Sequence, residues 1–232
     1  MRRAAALFAL ALLVACAAEK APEPAPTPTV TVAAPRTLVA ADLDPATLGA
    51  KIAGPKGTDP EFAITAGGKE IARIASYVAC PRGMTACVPA ELPAGTVLTY
   101  VHTITPASAV PATPSAEPTD SATPATVPPA VFRMTRPAPG FNGGLGYDRA
   151  EAEAALGAPD PITVTLDQGQ LIWRVTAGTG WEPGAPVTVW WQTVAPPAGP
   201  QDAFQLELMG RTATAKGPFP AAEKPVDPST AR

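Results

Sequence analysis

Short runs of alternating apolar and polar residues, separated by turn residues, carry most of the chain from residue 61 onward. Ile162, Val164 and Leu166 share one side of such a run, with Thr163, Thr165 and Asp167 on the other: the period-two pattern of a half-buried strand. Asp167-Gln168-Gly169-Gln170 supplies a turn. Leu171, Trp173 and Val175 then resume the apolar side while Arg174 faces away, so the stretch is predicted as a hairpin. Pro186–Thr193 reads as a further strand with Val187, Val189 and Trp191 on one face. Phe204, Leu206 and Leu208 mark another, and Gly210 turns it into Thr212–Lys216. Earlier, Glu61–Thr65 and Glu70–Val78 flank Gly67-Gly68, a two-residue hairpin signal. Thr96–Thr105 alternates as well, placing Leu98, Tyr100, His102 and Ile104 together.

One short helix interrupts the pattern. Asp148 is placed to cap it, Glu151 follows as in a capping box, alanines fill the interior up to Leu156, and Gly157 with Pro159 ends it. About two turns do not stand alone in water, so this helix must rest on a sheet. A weaker candidate runs from Pro45 to Ile52, entered at Asp44 with Pro45 in the first helical position. The expected fold is mainly β. It is a β-sandwich, with an immunoglobulin-like layout as one candidate, carrying one or two short helices and a disordered Pro/Ser/Thr insertion.

Composition adds the insertion and two flanking tails. Proline makes up 31 of 232 residues, against a usual share of about 5%, and it is clustered. From Ala17 to Arg36 it recurs at 22, 24, 26, 28 and 35 with almost nothing bulky between, which predicts an extended tether of about 3 Å per residue. Pro106–Pro129 is rich in Ser, Thr and Pro and lacks aromatics, so burial there cannot offset the entropy of ordering it. Pro218–Arg232 is expected to fray. Folded structure is thus assigned to 37–217, interrupted at 106–129. Two domains, 37–105 and 130–217, would leave the first small for an independent core. The preferred arrangement is one domain, with the insertion at the tip of a hairpin between Thr96–Thr105 and Val131–Arg136. Loop closure rises only slowly with length, so such an insertion costs little.

The N-terminus carries a different kind of signal. Arg2 and Arg3 precede an apolar run from Ala4 to Ala15, too short to span about 30 Å of hydrocarbon but of secretory proportions. It ends in Leu13-Val14-Ala15-Cys16, which resembles the lipobox of bacterial lipoproteins. The resemblance covers residues 1–16 only. It implies cleavage after residue 15, lipid on the Cys16 thiol and an acylated new N-terminus. Ala17, where an Asp would signal retention at the inner membrane, implies the outer membrane. An ordinary signal peptide, with Cys16 incidental, is the plainer alternative. Two or three fatty chains anchor firmly where one is marginal, at about 0.8 kcal/mol per buried CH₂.

Charge and candidate chemistry narrow the function. The net charge is −3, with 17 basic and 20 acidic residues; without Arg2 and Arg3, 15 bases remain and the net charge is −5. No basic block offers a footprint for nucleic acid. With Cys16 committed to lipid, Cys80 and Cys87 form an even pair around a short Pro/Gly loop, read as a disulfide of an oxidising compartment. One His and two thiols do not suggest a metal site, and no cofactor is expected.

His102, the only histidine, is the one candidate general base; a hydrogen-bonded core residue is the blander reading. The glycines of Gly140–Gly146 precede a helix, but no Lys-Ser/Thr follows and Asp148 would repel phosphate, so they are read as a plain loop. The acid pairs Glu151 with Glu153, Asp59 with Glu61, and Asp160 with Asp167 show no catalytic spacing. Period two puts Trp190 and Trp191 on opposite faces. An outward Trp190, with Trp181 and Tyr147, would stack a sugar ring; alternatively Trp190 packs beneath a loop or short helix. The chain therefore reads as a membrane-anchored lipoprotein presenting a non-enzymatic β-rich binding or structural module, partnered by an envelope protein or glycan. A glycan- or peptidoglycan-binding module is the rival, and a periplasmic hydrolase a distant third.

Overall fold

The computed structural model describes residues 34–54, 61–108 and 130–221. The signal segment, Cys16, nearly all of the tether, positions 109–129 of the insertion and the tail beyond 221 lie outside the described residues. The described chain is a β-sandwich of two sheets with one short α-helix. The six-stranded sheet has the order β1 (Arg36–Leu38), β9 (Ile162–Asp167), β10 (Gln170–Val175), β7 (Ala130–Met134), β12 (Pro197–Leu208) and β13 (Arg211–Pro220). The seven-stranded sheet runs β2 (Ala41–Asp42), β8 (Phe141–Tyr147), β11 (Val187–Thr193), β6 (Leu98–Pro106), β5 (Lys69–Pro81) and β3 (Leu48–Lys51), with β4 (Phe62–Ala66) also on β5. This exceeds the roughly seven to nine strands of an immunoglobulin domain. The Cys80–Cys87 bond also ties the end of β5 to the β5–β6 connection and does not join the sheets.

The predicted hairpins form where turn chemistry and alternation agree. β9 and β10 pair in register from Ile162–Val175 to Asp167–Gln170, around Gln168 and Gly169 with φ of 49° and 79°. Gly67 and Gly68 likewise take φ of 58° and 76° between β4 and β5, as a two-residue turn with left-handed central residues requires. The alternating apolar sides then meet between the sheets. Phe132, Trp173, Phe204 and Phe219 come from one sheet, and Tyr100, His102, Trp191 and Ile104 from the other. Tyr100 stacks on Trp191 at 4.5 Å between ring centroids, and Phe132 on Phe204 at 5.3 Å. Each such pair adds about 0.5–1.5 kcal/mol to the apolar burial.

Several expectations are corrected. Thr96–Thr105 and Val131–Arg136 do not pair. β6 has β5 and β11 on its two edges and β7 has β10 and β12, so the chain changes sheets between them. Pro106 ends β6 and is not the start of an unpaired segment. Pro218–Pro220 does not fray: it closes β13, and Phe219 is 1% exposed. Prolines are tolerated there because β13 is an edge strand. The Pro45–Ile52 candidate is a single 3₁₀ turn, Pro45–Thr47, after which Leu48 enters β3. Asp44 caps that turn through a 2.9 Å bond from the Ala46 N–H.

The helix candidate entered at Asp148 stands as α1 (Arg149–Leu156), with Gly157 at φ 75°. Asp148 accepts from the Glu151 N–H at 2.9 Å. The capping box is one-sided, because the Asp148 N–H is spent on the Thr188 carbonyl, tying the helix start to β11.

Candidate functional site

Alternation along β6 turns His102 into the core, where it is 0% exposed. Ser76 of β5 stands directly across from it, and the Ser76 Oγ lies 2.9 Å from His102 Nδ1. From the diagonal position on β11, Trp191 Nε1 donates to His102 Nε2 at 3.3 Å. An indole N–H can only donate, so Nε2 carries the lone pair and the imidazole proton sits on Nδ1, directed at Ser76. Phe204 closes the ring's surroundings at 4.5 Å. Burial pushes the imidazole down from 6.5 to about 3, and a proton on Nε2 would also oppose the indole N–H. Both nitrogens are committed and neither meets solvent, so His102 is the hydrogen-bonded core residue of the blander reading and not a general base. Tyr100 beside it is held protonated well above its usual range by burial, its hydroxyl donating to the Ala195 carbonyl at 2.9 Å.

The opposite face of the same sheet is different. Trp190 and Gln192 alternate outward from β11, and Thr99 of β6 pairs with Gln192, whose Nε2 donates to Thr99 Oγ1 at 3.2 Å. Asp42, Asp44 and Leu48 come over this face from the segment around β2, the 3₁₀ turn and β3. Together these residues line a cleft of about 270 Å³. Trp190 is 9% exposed, and its Nε1–H, shielded from solvent, has no hydrogen-bond partner. Asp42 Oδ1 accepts from the backbone N–H of Leu43 at 3.0 Å and of Arg149 at 2.9 Å, which fixes the carboxylate against the first turn of α1. The covering segment is held down where β2 runs parallel to β8, Ala41 opposite Gly146. A Cβ on Gly146 would collide with the Ala41 carbonyl.

The aromatic platform expected from Trp190, Trp181 and Tyr147 does not assemble. Tyr147 lies opposite Val189 on the inner face and is 1% exposed, with its hydroxyl 3.5 Å from Asp160 Oδ1. Trp181 also faces inward, among Ile104, Phe132, Trp173 and Val187, and its Nε1 donates to the Ala185 carbonyl at 3.0 Å. Trp190 is covered by a loop and a short turn, as its alternative reading has it, yet the cover leaves a cleft. Asp42 and Thr99 carried no local signal for this site. Alternation alone puts Gln192 on the face of Trp190, and Asp44 reads from sequence only as a cap.

The remaining candidates have structural places. Cys80 and Cys87 are disulfide-bonded with Cα atoms 5.7 Å apart, both sulfur-bearing residues buried in the core. Gly140–Gly146 is not a plain loop: Phe141–Tyr147 is β8, its glycines serving the close approach of Ala41 at Gly146 and the irregular register with β11 around Gly143, where φ is 97°. Asp160 pairs with Arg149, and Glu61 with Arg73; Asp59 lies outside the described residues.

Among the described residues there is no group of three or more His, Cys, Asp or Glu arranged to hold a metal, and no helix long and apolar enough to cross a membrane. No protein-family model, curated protein or solved structure matches the chain.

Proposed function

We propose that the chain is a lipoprotein of the cell envelope, anchored in the outer membrane through lipid on Cys16, whose β-sandwich acts by binding or scaffolding and not by catalysis. The observation that carries this reading is Leu13-Val14-Ala15-Cys16 behind a basic start and a short apolar run. Two further features support it. The remaining cysteines are joined as Cys80–Cys87, which suits an oxidising compartment. The only histidine spends both nitrogens inside the core. A glycan-binding role for the module is favoured by one feature, the cleft over Trp190.

Fractionation tests the anchor. Globomycin, or Cys16→Ala, should accumulate precursor and remove the protein from the membrane fraction, and mass spectrometry of the mature N-terminus should find acylated Cys16. An unmodified N-terminus with unchanged fractionation would reject the proposal.

A further inference from the structure

Asn142 is the only asparagine of the chain, and the residue after it is glycine. It stands in β8 where the strand departs from its partner. Leu145 faces Trp191 and Phe141 faces Thr193, so four steps along β8 answer two along β11, and Asn142, Gly143 and Gly144 have no partner in that register. β2 joins β8 further on, at Gly146 and Tyr147. Asn142 and Gly143 are both exposed, so the peptide between them lies open to water. Gly143 takes a φ of 97°, and a Cβ placed on it would meet nothing within 4 Å.

The Asn142 side chain is folded back in an Asx turn, its Oδ1 accepting from the Gly144 N–H at 2.9 Å. That bond closes a ring that holds the side-chain carbonyl carbon over the nitrogen of Gly143. It also aims a backbone N–H at the oxygen on which negative charge gathers when that carbon is attacked. Nδ2 points the other way, donating to Gln192 Oε1 at 3.4 Å, so the group that must leave is turned out of the ring. Glycine at 143 places no side chain in the path of ring closure.

We infer that Asn142 is a site of spontaneous deamidation, with the Gly143 nitrogen as the nucleophile. The nitrogen attacks Asn142 Cγ; the N–Cγ bond forms and the Cγ–Nδ2 bond breaks. The proton lost by Gly143 returns through water to Nδ2, which leaves as ammonia. Water then opens the five-membered imide at either carbonyl. One opening gives aspartate at 142. The other gives an isoaspartyl link, in which the main chain runs through Cγ and gains a methylene. Holding nucleophile and carbonyl together in the folded chain replaces a chance encounter, and the bulge supplies the freedom that strand pairing withholds. Either product sets a carboxylate beside Gln192 Oε1, so the Gln192 amide must turn to donate. The pairs from Leu145 to Tyr147 that hold β8 to β11 lie outside the change.

The test ages purified mature protein at mildly alkaline pH and physiological temperature in two arms, one folded in buffer and one held unfolded in guanidinium chloride. Peptide mapping follows the fragment containing Asn142 for a gain of about 1 Da and separates its aspartyl and isoaspartyl forms. The folded arm should lose Asn142 at a rate within about ten-fold of the unfolded arm, and both products should appear. A folded arm slower by more than about ten-fold would show that β8 protects the amide, and would overturn the inference. So would aspartate formed without its isoaspartyl isomer, because direct attack of water on Cγ passes through no ring.

Discussion

His102 shows how one residue can govern the pH response of the whole fold. In the unfolded chain its imidazole takes up a proton near 6.5; in the folded chain that proton is refused until about 3. Between those values the unfolded state binds the extra proton. Its contribution to stability is therefore complete above about pH 6.5 and falls as acid is added, by about 1.4 kcal/mol per pH unit. From 6.5 to 5 the loss is about 2 kcal/mol. His102 is the only histidine and carboxylates titrate lower, so this window belongs to it. Urea unfolding at pH 7.5 and pH 5 should show that loss in the native sequence. His102→Gln should be flat across the window, and weaker at pH 7.5 by about 1–3 kcal/mol because the bonds to Ser76 and Trp191 are remade imperfectly. Parallel pH curves for the two proteins would refute the argument. Alternation alone placed His102 on the face of Leu98, Tyr100 and Ile104. Its partners were not legible, because Ser76, Trp191 and Phe204 come from three other strands and a single sequence carries no record of register.

Among elements, legibility followed the agreement of local signals. The β9–β10 and β4–β5 hairpins were read from alternation plus Gln-Gly or Gly-Gly turns, and α1 from its cap and Gly157. β8 was missed because its glycines resemble a loop; what makes them a strand is pairing with β11, and Gly146 leaves room on the other edge for the backbone of Ala41, more than a hundred residues upstream. Gly146→Ala tests that dependence. The added methyl cannot fit against the Ala41 carbonyl, so β2 must lift from β8. Overpacking of this kind costs about 1–3 kcal/mol. The midpoint of unfolding should drop, and Trp190 should become accessible to acrylamide as the covering segment loosens; unchanged quenching would mean the segment is held elsewhere. The disulfide loop braces the same region from the other side, where the Arg82 N–H donates to Thr47 and the Ala50 N–H to Met84. Replacing both Cys80 and Cys87 by Ala should cost about 2–3 kcal/mol, the chain-entropy value for so short a loop. A variant as stable as the native protein would show that packing of the loop on β3 suffices.

At the scale of the molecule, the two stretches on either side of residues 109–129 share their sheets. β8 and β11, from the later stretch, lie between β2 and β6, from the earlier one, while β1 of the earlier stretch edges a sheet otherwise built from the later. Apart, neither stretch closes a core. Without β11, the edge of β6 is bare and Tyr100 and His102 lose Trp191. Without β6, Trp190 and Trp191 are exposed on a strand paired only to β8. A break in the backbone between 109 and 129 removes no pairing among the described strands, and the entropy of closing that loop is small and only logarithmic in length. A site-specific protease sequence inserted after Glu117 and cut in the purified protein should therefore leave the two fragments eluting together at native size. They should part only in denaturant, in one transition seen alike by Trp fluorescence and far-UV dichroism. Two fragments that separate in buffer, each with its own cooperative melt, would show that each stretch holds a core of its own and that the interleaved strand order is wrong.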